Sequence, residues 1–171
     1  MNDGKKMVLV VEDNPRQAEK IANILNTSYS YYAVIAANGV EALAVIKKNR
    51  RFFGLLPNRI KCVLLDLQMP EMSGEEFLKI FRQQERKNIF AQFLPIIVIT
   101  AYNDLERWDK VTDPIHGMVA GYLNKPIDEQ KLLYLLHSVI FKEETEYFIE
   151  ETLRKDIELH EKLDNTPQPG A

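Results

Sequence analysis

The chain has 171 residues and a formal net charge of −3 at pH 7. This length is enough for one domain with a sizeable core, or one domain and an appendage, but too short for two full domains. The slight negative charge gives no electrostatic argument for binding nucleic acid or an anionic membrane. Residues 142–164 carry nine acidic and four basic side chains, so the negative charge is concentrated there.

The single cysteine, Cys62, excludes an intramolecular disulfide and is typical of a buried, reduced thiol in the cytoplasm. The apolar run near the N-terminus is too short for a signal peptide. No stretch approaches the roughly 20 apolar residues that a membrane span requires. We therefore expect a cytoplasmic protein without a membrane segment.

Five short apolar runs are typical of buried strands. They span residues 7–11, 31–37, 63–66, 95–100 and 121–125. Segments with helical periodicity follow them, beginning near residues 15, 39, 74, 103 and 129. The segment 103–118 has the weakest helical pattern, because Pro114 and Gly117 interrupt it.

Helix start signals accompany four of these segments. They are Asn14-Pro15, Asn38-Gly39, Ser73 with Glu76 three residues later, and Asp128. In the second helix, Val40, Leu43 and Ile46 are expected to form the apolar face.

Strands that alternate with helices predict an α/β fold, a doubly wound parallel sheet of five strands with five helices on its two faces. Right-handed crossovers place the carboxyl ends of all strands at one edge of the sheet. This is the edge at which such sheets bind ligands.

Charged or hydroxyl side chains that could bind a metal ion or a phosphoryl group stand at the ends of four predicted strands: Glu12, Asp13, Asp66, Thr100 and Lys125. Three convergent carboxylates repel one another unless a cation neutralises them, and oxygen ligands favour a hard ion such as Mg²⁺. Asp66 could attack a phosphorus atom while Lys125 and Thr100 bind the developing charge. Each residue alone has a simpler interpretation as a cap, a strand end or a solvated charge, but their coincidence favours phosphoryl chemistry.

Four segments together resemble the receiver domain of two-component response regulators, from about residue 6 to 141. They are Leu9-Val10-Val11-Glu12-Asp13-Asn14, Leu64-Leu65-Asp66-Leu67-Gln68-Met69-Pro70-Glu71-Met72-Ser73-Gly74, Val98-Ile99-Thr100-Ala101 and Gly121-Tyr122-Leu123-Asn124-Lys125-Pro126. The resemblance implies a flavodoxin-like sheet with strand order 2-1-3-4-5. It also implies a stand-alone response regulator.

The resemblance implies that Asp66 is the phosphoacceptor and receives its phosphoryl group from a sensor histidine kinase. Asp13, Asp66 and the backbone carbonyl of Gln68 would ligate Mg²⁺, and Glu12 would act largely through a coordinated water.

Thr100 and Lys125 would bind the phosphoryl oxygens, and Lys125-Pro126 is similar to the family's cis-peptide position. Tyr122 stands where the family has the aromatic residue that rotates when Thr100 moves. Tyr102 is expected to hinder the attacking water and slow self-hydrolysis.

The output expected from the resemblance is binding to a downstream protein, or transfer of the phosphoryl group to a histidine phosphotransfer protein. No recognition helix for nucleic acid is expected, and a homodimer stays open, although the irregular segment 103–118 argues against the usual dimer face. No enzymatic activity is expected other than self-phosphorylation from phosphodonors and self-dephosphorylation.

Two other functions are compatible with parts of this pattern. A Mg²⁺-dependent phosphohydrolase with an aspartyl nucleophile wants a second Asp two residues after the nucleophile, and that position is Gln68. A receiver-like scaffold that is not phosphorylated is disfavoured because all the required residue types are present.

The domain boundaries are predicted as a receiver domain at 6–141, a charged helical extension at 142–164 and a flexible tail at 165–171. In the extension, Ile149, Leu153 and Ile157 recur four residues apart. They could belong to a solvated helix or to a contact with a partner or a second copy, but the apolar seam is too short for an independent coiled coil.

Overall fold

A computed structural model describes residues 4–51, 56–87, 93–100 and 119–141 of the chain. The elements are β1 (Lys6–Val11), α1 (Pro15–Thr27), β2 (Tyr31–Ala36), α2 (Gly39–Lys48), β3 (Ile60–Asp66), α3 (Gly74–Lys87), β4 (Ile96–Thr100), β5 (Gly121–Asn124) and α4 (Glu129–Ile140). The strands form one sheet in the order β2-β1-β3-β4-β5, and all neighbouring pairs are parallel. The predicted fold class and strand order are confirmed.

The sheet has a hydrophobic core on each face, because successive side chains of a strand point to opposite sides. The core on one face contains Leu9, Val11, Val63, Leu65 and Val98 and is completed by α2 and α3. The core on the other contains Val8, Val10, Cys62, Leu64 and Ile97 and is completed by α1 and α4. Because the central strands are covered on both faces, their sequences are continuous apolar runs.

The strand register brings the carboxyl ends of four strands to one edge. Val11 pairs with Leu65, Asp66 pairs with Ile99, and Thr100 pairs with Asn124. The residue at or just after each of these ends is therefore held beside its neighbours. Glu12, Asp66, Thr100 and Lys125 occupy these positions.

All four predicted helix start signals are confirmed. The side chains of Asn14, Asn38, Ser73 and Asp128 each accept a hydrogen bond from a backbone N–H two or three residues later. The Glu76 carboxylate accepts a hydrogen bond from the Ser73 N–H in return, which completes the capping box.

The structure corrects two details. Val40 is 50% exposed and does not face the core; the buried residues of α2 are Gly39, Ala42 and Ile46, which lie three and four positions apart. Strand β5 ends at Asn124, so Lys125 follows the strand instead of ending it.

Several predictions concern residues outside the described ranges. These are the helix at 103–118, the role of Tyr102, the helical extension at 142–164 and the tail at 165–171. The described part of the chain accordingly contains four helices. None of them combines the length and the hydrophobicity that crossing a membrane would need.

Candidate functional site

Three carboxylates converge at the carboxyl edge of the sheet. Glu12 and Asp13 follow β1, and Asp66 ends the adjacent β3. One oxygen from each lies within 4.8 Å of the others. Glu12 and Asp66 are buried and Asp13 is exposed, so the cluster is open to solvent on one side.

Lys125 joins two of these carboxylates. Its ammonium nitrogen Nζ lies 2.5 Å from Oε2 of Glu12 and 2.6 Å from Oδ2 of Asp66. The backbone N–H of Lys125 donates a hydrogen bond of 2.8 Å to the carbonyl of Thr100, which continues the pairing of β4 and β5. The Lys125-Pro126 peptide bond is cis. Lys125 follows β5, which lies two strands from β3 and three strands from β1 in the sheet, so its side chain spans the edge to reach both carboxylates.

The electrostatics of the site follow from burial and from this ion pair. Burial raises the pKa of the Glu12 carboxyl, and the Asp66 charge adds to the effect against the opposing influence of Lys125. Burial alone would lower the pKa of the Lys125 ammonium, but its hydrogen bonds to Asp66 and Glu12 outweigh burial and raise it. The lysine therefore stays charged, and additional positive charge nearby would stabilise the ionised form of the buried glutamate.

The acceptor loop, which we define as residues 67–73, begins directly after Asp66. The backbone N–H of Gln68 donates a hydrogen bond of 3.3 Å to Oδ1 of Asp66, which holds the Gln68 backbone beside the carboxylate cluster. The Gln68 side chain is exposed.

Thr100 and Tyr122 lie on the adjacent strands β4 and β5. Thr100 is buried at the carboxyl end of β4, the same edge as Asp66. Tyr122 pairs with Val98 in the sheet and packs, partly buried, against the core under α2 and α3. The structure thus brings Glu12, Asp13, Asp66, Thr100 and Lys125 to one edge, and places Tyr122 two residues before the end of β5.

Gly74, whose individual role is not evident from the sequence, lies against the backbone of Asp66. A Cβ atom at position 74 would lie 2.2 Å from the Asp66 carbonyl oxygen and 2.8 Å from Cα of Leu67. Real Cβ atoms do not approach so closely, so only glycine fits here. In the sequence, this constraint is indicated by the position of the glycine at the start of α3, directly after a capping residue.

The contact between Asn38 and Glu71 is likewise not predicted by the sequence. The Asn38 side chain donates a hydrogen bond of 2.9 Å to the Glu71 carboxylate, which joins the turn before α2 to the acceptor loop. Nothing in the sequence relates two residues that are so far apart along the chain.

The donor set fits a hard divalent cation. Three carboxylates opposed by one ammonium group leave a formal excess of two negative charges, and all the side-chain donors are oxygen atoms. The buried carboxylate of Glu12 has a raised pKa, which a bound cation would lower again. The residues present are therefore suited to Mg²⁺.

Comparisons with known proteins identify the family of the chain. The family model described as the response regulator receiver domain matches residues 8–137. Hybrid signal transduction histidine kinase D of Dictyostelium discoideum is 32% identical over 87% of this chain, which corresponds to 8% of that protein. Protein PilH of Pseudomonas aeruginosa is 26% identical over 78% of this chain and 96% of its own length.

Solved structures resemble the fold as well. Chemotaxis protein CheY4 of Vibrio cholerae is 28% identical, with a TM-score of 0.63 over 79% of this chain and 98% of that chain. The chain spans 8% of kinase D and 6% of hybrid signal transduction protein dokA of Dictyostelium discoideum, but 96% of PilH. Receiver domains are signalling modules that interact with histidine kinases or phosphotransfer proteins, and this chain belongs to the response regulator receiver domain family.

Proposed function

We propose that this chain is phosphorylated on Asp66 by a sensor histidine kinase, in a reaction that requires Mg²⁺, and that the phosphorylated form signals to another protein. The observation that carries the proposal is the position of Lys125, which contacts both Asp66 and Glu12 beside Asp13. A nucleophile, a fixed cation and an open carboxylate cluster are the parts that phosphoryl transfer requires.

In the proposed reaction, a carboxylate oxygen of Asp66 attacks the phosphorus of a phosphohistidine. The new P–O bond forms as the P–N bond breaks, and the imidazole nitrogen keeps the electron pair of the broken bond. The Lys125 ammonium group exchanges its hydrogen bond to Asp66 for one to a phosphoryl oxygen. Thr100, buried on the next strand, supplies a hydroxyl donor to another phosphoryl oxygen.

The metal would be held by Asp13, Asp66 and the backbone carbonyl of Gln68, with Glu12 acting largely through a coordinated water. When bound, Mg²⁺ neutralises the phosphoryl oxygens and the carboxylates that surround them. The hydrogen bond from the Gln68 N–H to Asp66 supports this assignment, because it keeps the Gln68 backbone next to the acceptor.

For the output, we propose a change on the surface near β5. Thr100 moving towards the phosphoryl group would leave space for Tyr122, whose ring already packs partly against the core. The receiver unit would comprise residues 6–141, and the modified protein would bind a downstream protein or pass its phosphoryl group to a histidine phosphotransfer protein.

The test is intact-mass measurement after incubation with a small phosphodonor such as acetyl phosphate, with and without Mg²⁺. The wild type should gain one labile phosphoryl group only when Mg²⁺ is present. The Asp66→Asn variant should gain none, because the amide cannot act as the nucleophile.

A matched control is Asp128→Asn, which changes an exposed carboxylate that caps α4 and leaves the capping oxygen in place. This control should be labelled like the wild type. Equal labelling of the Asp66→Asn variant would place the phosphoryl group elsewhere and overturn the proposal. An unlabelled wild type that is also not labelled by any histidine kinase would favour the scaffold interpretation.

A further inference from the structure

The acceptor loop is attached to the turn between β2 and α2 by a side-chain hydrogen bond. Nδ2 of Asn38 donates to Oε2 of Glu71 over 2.9 Å, and Asn38 is only 8% exposed. The same asparagine uses its Oδ1 atom to accept a hydrogen bond of 2.9 Å from the Glu41 N–H, which caps α2. The asparagine is therefore fixed by the helix and presents its amide N–H to the loop.

Glu71 has an unusual backbone conformation for this contact. Its φ angle is 64°, and it is the one non-glycine residue with a positive φ in the described part of the chain. This left-handed region disfavours residues with a Cβ atom, so the surrounding structure must compensate for it. The Met72 N–H donates to the Pro70 carbonyl over 2.7 Å across this residue, and the hydrogen bond to Asn38 fixes the Glu71 side chain against the α2 turn.

The attachment has little freedom because the loop is closed at its base. The Gly74 N–H donates to the Leu67 carbonyl over 3.0 Å, so both ends of the loop are held directly behind Asp66. At the loop's far side, a Cβ atom on Gly39 would lie 2.7 Å from the Met72 side chain, which shows how tightly the loop packs on the α2 turn. A movement of the loop tip would therefore displace the backbone at Gln68.

We propose that the hydrogen bond between Asn38 and Glu71 positions the acceptor loop for metal binding, so that Asn38 and Glu71 are positioning residues of the phosphorylation site. The inference rests on the proposed function, because it concerns the backbone carbonyl of Gln68 as a Mg²⁺ ligand. Neither residue touches the reacting atoms. Asn38 and Glu71 act on metal binding indirectly, because their hydrogen bond restrains the acceptor loop that contains Gln68.

The experiment exchanges donor and acceptor across the contact. In Asn38→Asp the side chain still caps α2, but it can no longer donate and it faces the Glu71 carboxylate. In Glu71→Gln the side-chain oxygen still accepts from Asn38. In the double variant Asn38→Asp/Glu71→Gln, the new amide donates to the new carboxylate, and the net charge equals that of the wild type.

Mg²⁺ binding is measured by titration calorimetry, and amide hydrogen exchange is measured across residues 67–73. Asn38→Asp should weaken Mg²⁺ binding by about tenfold, the lower end of what the loss of an outer hydrogen-bond partner costs a metal site. It should also speed amide exchange in the loop. Glu71→Gln and the double variant should remain close to the wild type in both measurements.

The direction of the effect separates geometry from charge. Asn38→Asp adds a negative charge near a cation site, so electrostatics alone would tighten Mg²⁺ binding. Binding by Asn38→Asp as tight as in the wild type, or a double variant as weak as Asn38→Asp, would overturn the inference while the proposed function stands. A wild type that binds no Mg²⁺ would instead overturn the proposed function.

Discussion

The Lys125 ammonium nitrogen lies 2.6 Å from Oδ2 of Asp66, and the same nitrogen lies 2.5 Å from Oε2 of Glu12. The lysine thus neutralises part of the acidic cluster before any metal arrives. A metal bound by this carboxylate cluster would have to compete with the lysine for Glu12 and Asp66. This double role leads to opposite expectations for folding and for metal binding.

Lys125→Met should lower the free energy of unfolding in the absence of Mg²⁺ by about 1–3 kcal/mol, because it leaves two buried carboxylates without their cation. The solvent access of the lysine side chain, which is 12% exposed, keeps the loss below that of a fully buried pair. Mg²⁺ should stabilise this variant more than it stabilises the wild type. Denaturant unfolding at pH 7 with and without Mg²⁺ measures both effects, and an equal Mg²⁺ response in the two proteins would contradict the competition.

Gly74→Ala should destabilise the protein and slow phosphorylation of the molecules that still fold. The added Cβ atom would meet the Asp66 carbonyl at 2.2 Å, and backbone cannot move aside as a flexible side chain can. We expect a loss of about 1–3 kcal/mol in the free energy of unfolding, typical of overpacking. The measurements are thermal unfolding and the labelling rate with a small phosphodonor.

Gly121→Ala is the matched control for that substitution. Its Cβ atom would approach the Leu135 side chain at 2.8 Å, which can shift its terminal methyl groups. It should cost less stability than Gly74→Ala and leave the labelling rate unchanged. If the two variants lose the same stability and labelling rate, the close approach to Asp66 is not what constrains position 74.

Tyr31→Phe should raise the free energy of unfolding by about 1 kcal/mol at neutral pH. The Tyr31 hydroxyl is buried and has no hydrogen-bond partner among the described residues, so its removal abolishes an uncompensated desolvation cost. Burial and, secondarily, the Cys62 charge raise the pKa of Tyr31 from 10.0 to about 12.

Because the pKa of Tyr31 is raised, the effect of Tyr31→Phe on the free energy of unfolding should depend on pH. Between pH 10 and pH 12 the tyrosine ionises in the unfolded chain but keeps its proton in the folded one, so the wild type loses stability as pH rises. Tyr31→Phe should lose less over this interval, which urea unfolding at several pH values would detect. Parallel stability curves for the two proteins would contradict the assignment.

The buried ion pair between Arg82 and Glu85 offers a test at the opposite edge of the sheet. The two side chains are 2.5 Å apart, Arg82 also donates to the Leu94 carbonyl over 3.0 Å, and the Leu94 N–H donates to Glu85 over 2.8 Å. Arg82→Met should lower the free energy of unfolding by about 3–5 kcal/mol, because it leaves the glutamate charge buried and unpaired.

The double variant Arg82→Met/Glu85→Leu should recover part of that loss, since it leaves no charge in the apolar surroundings. In the folded fraction of both variants, phosphorylation of Asp66 should be unchanged, because the pair joins α3 to the start of β4, away from the acceptor. A double variant no more stable than Arg82→Met would show that the glutamate is not the source of the cost.

The sheet and the convergence of the site could be predicted because both follow from patterns along the chain. Strands covered on two faces must be continuously apolar, as in 63–66, and parallel strands then carry the residues after their ends to one edge. The sequence therefore predicts the edge of the sheet at which Lys125 lies. Its simultaneous contact with Glu12 and Asp66 is not predictable, since that depends on side-chain geometry between three strands.

Other features had no local signal. Arg82 and Glu85 look like the exposed face of an amphipathic helix, yet both are buried, because the segment leading into β4 covers them. Val40 fits an apolar face in the sequence but lies half exposed on α2. The hydrogen bond between Asn38 and Glu71 depends on how the turn before α2 meets the loop after β3, and only the tertiary structure decides this.

Cys62 offers a built-in reporter of how often the central strand separates from its neighbours. Its thiol is fully buried in β3, four residues before Asp66, and burial raises its pKa to about 12. Alkylating reagents react with the thiolate, so they can modify this protein only when β3 opens to solvent. Because the chain has one cysteine, the modification rate under native conditions counts those openings directly, and comparing it between the phosphorylated and unmodified forms would show whether signalling loosens the strand or tightens it.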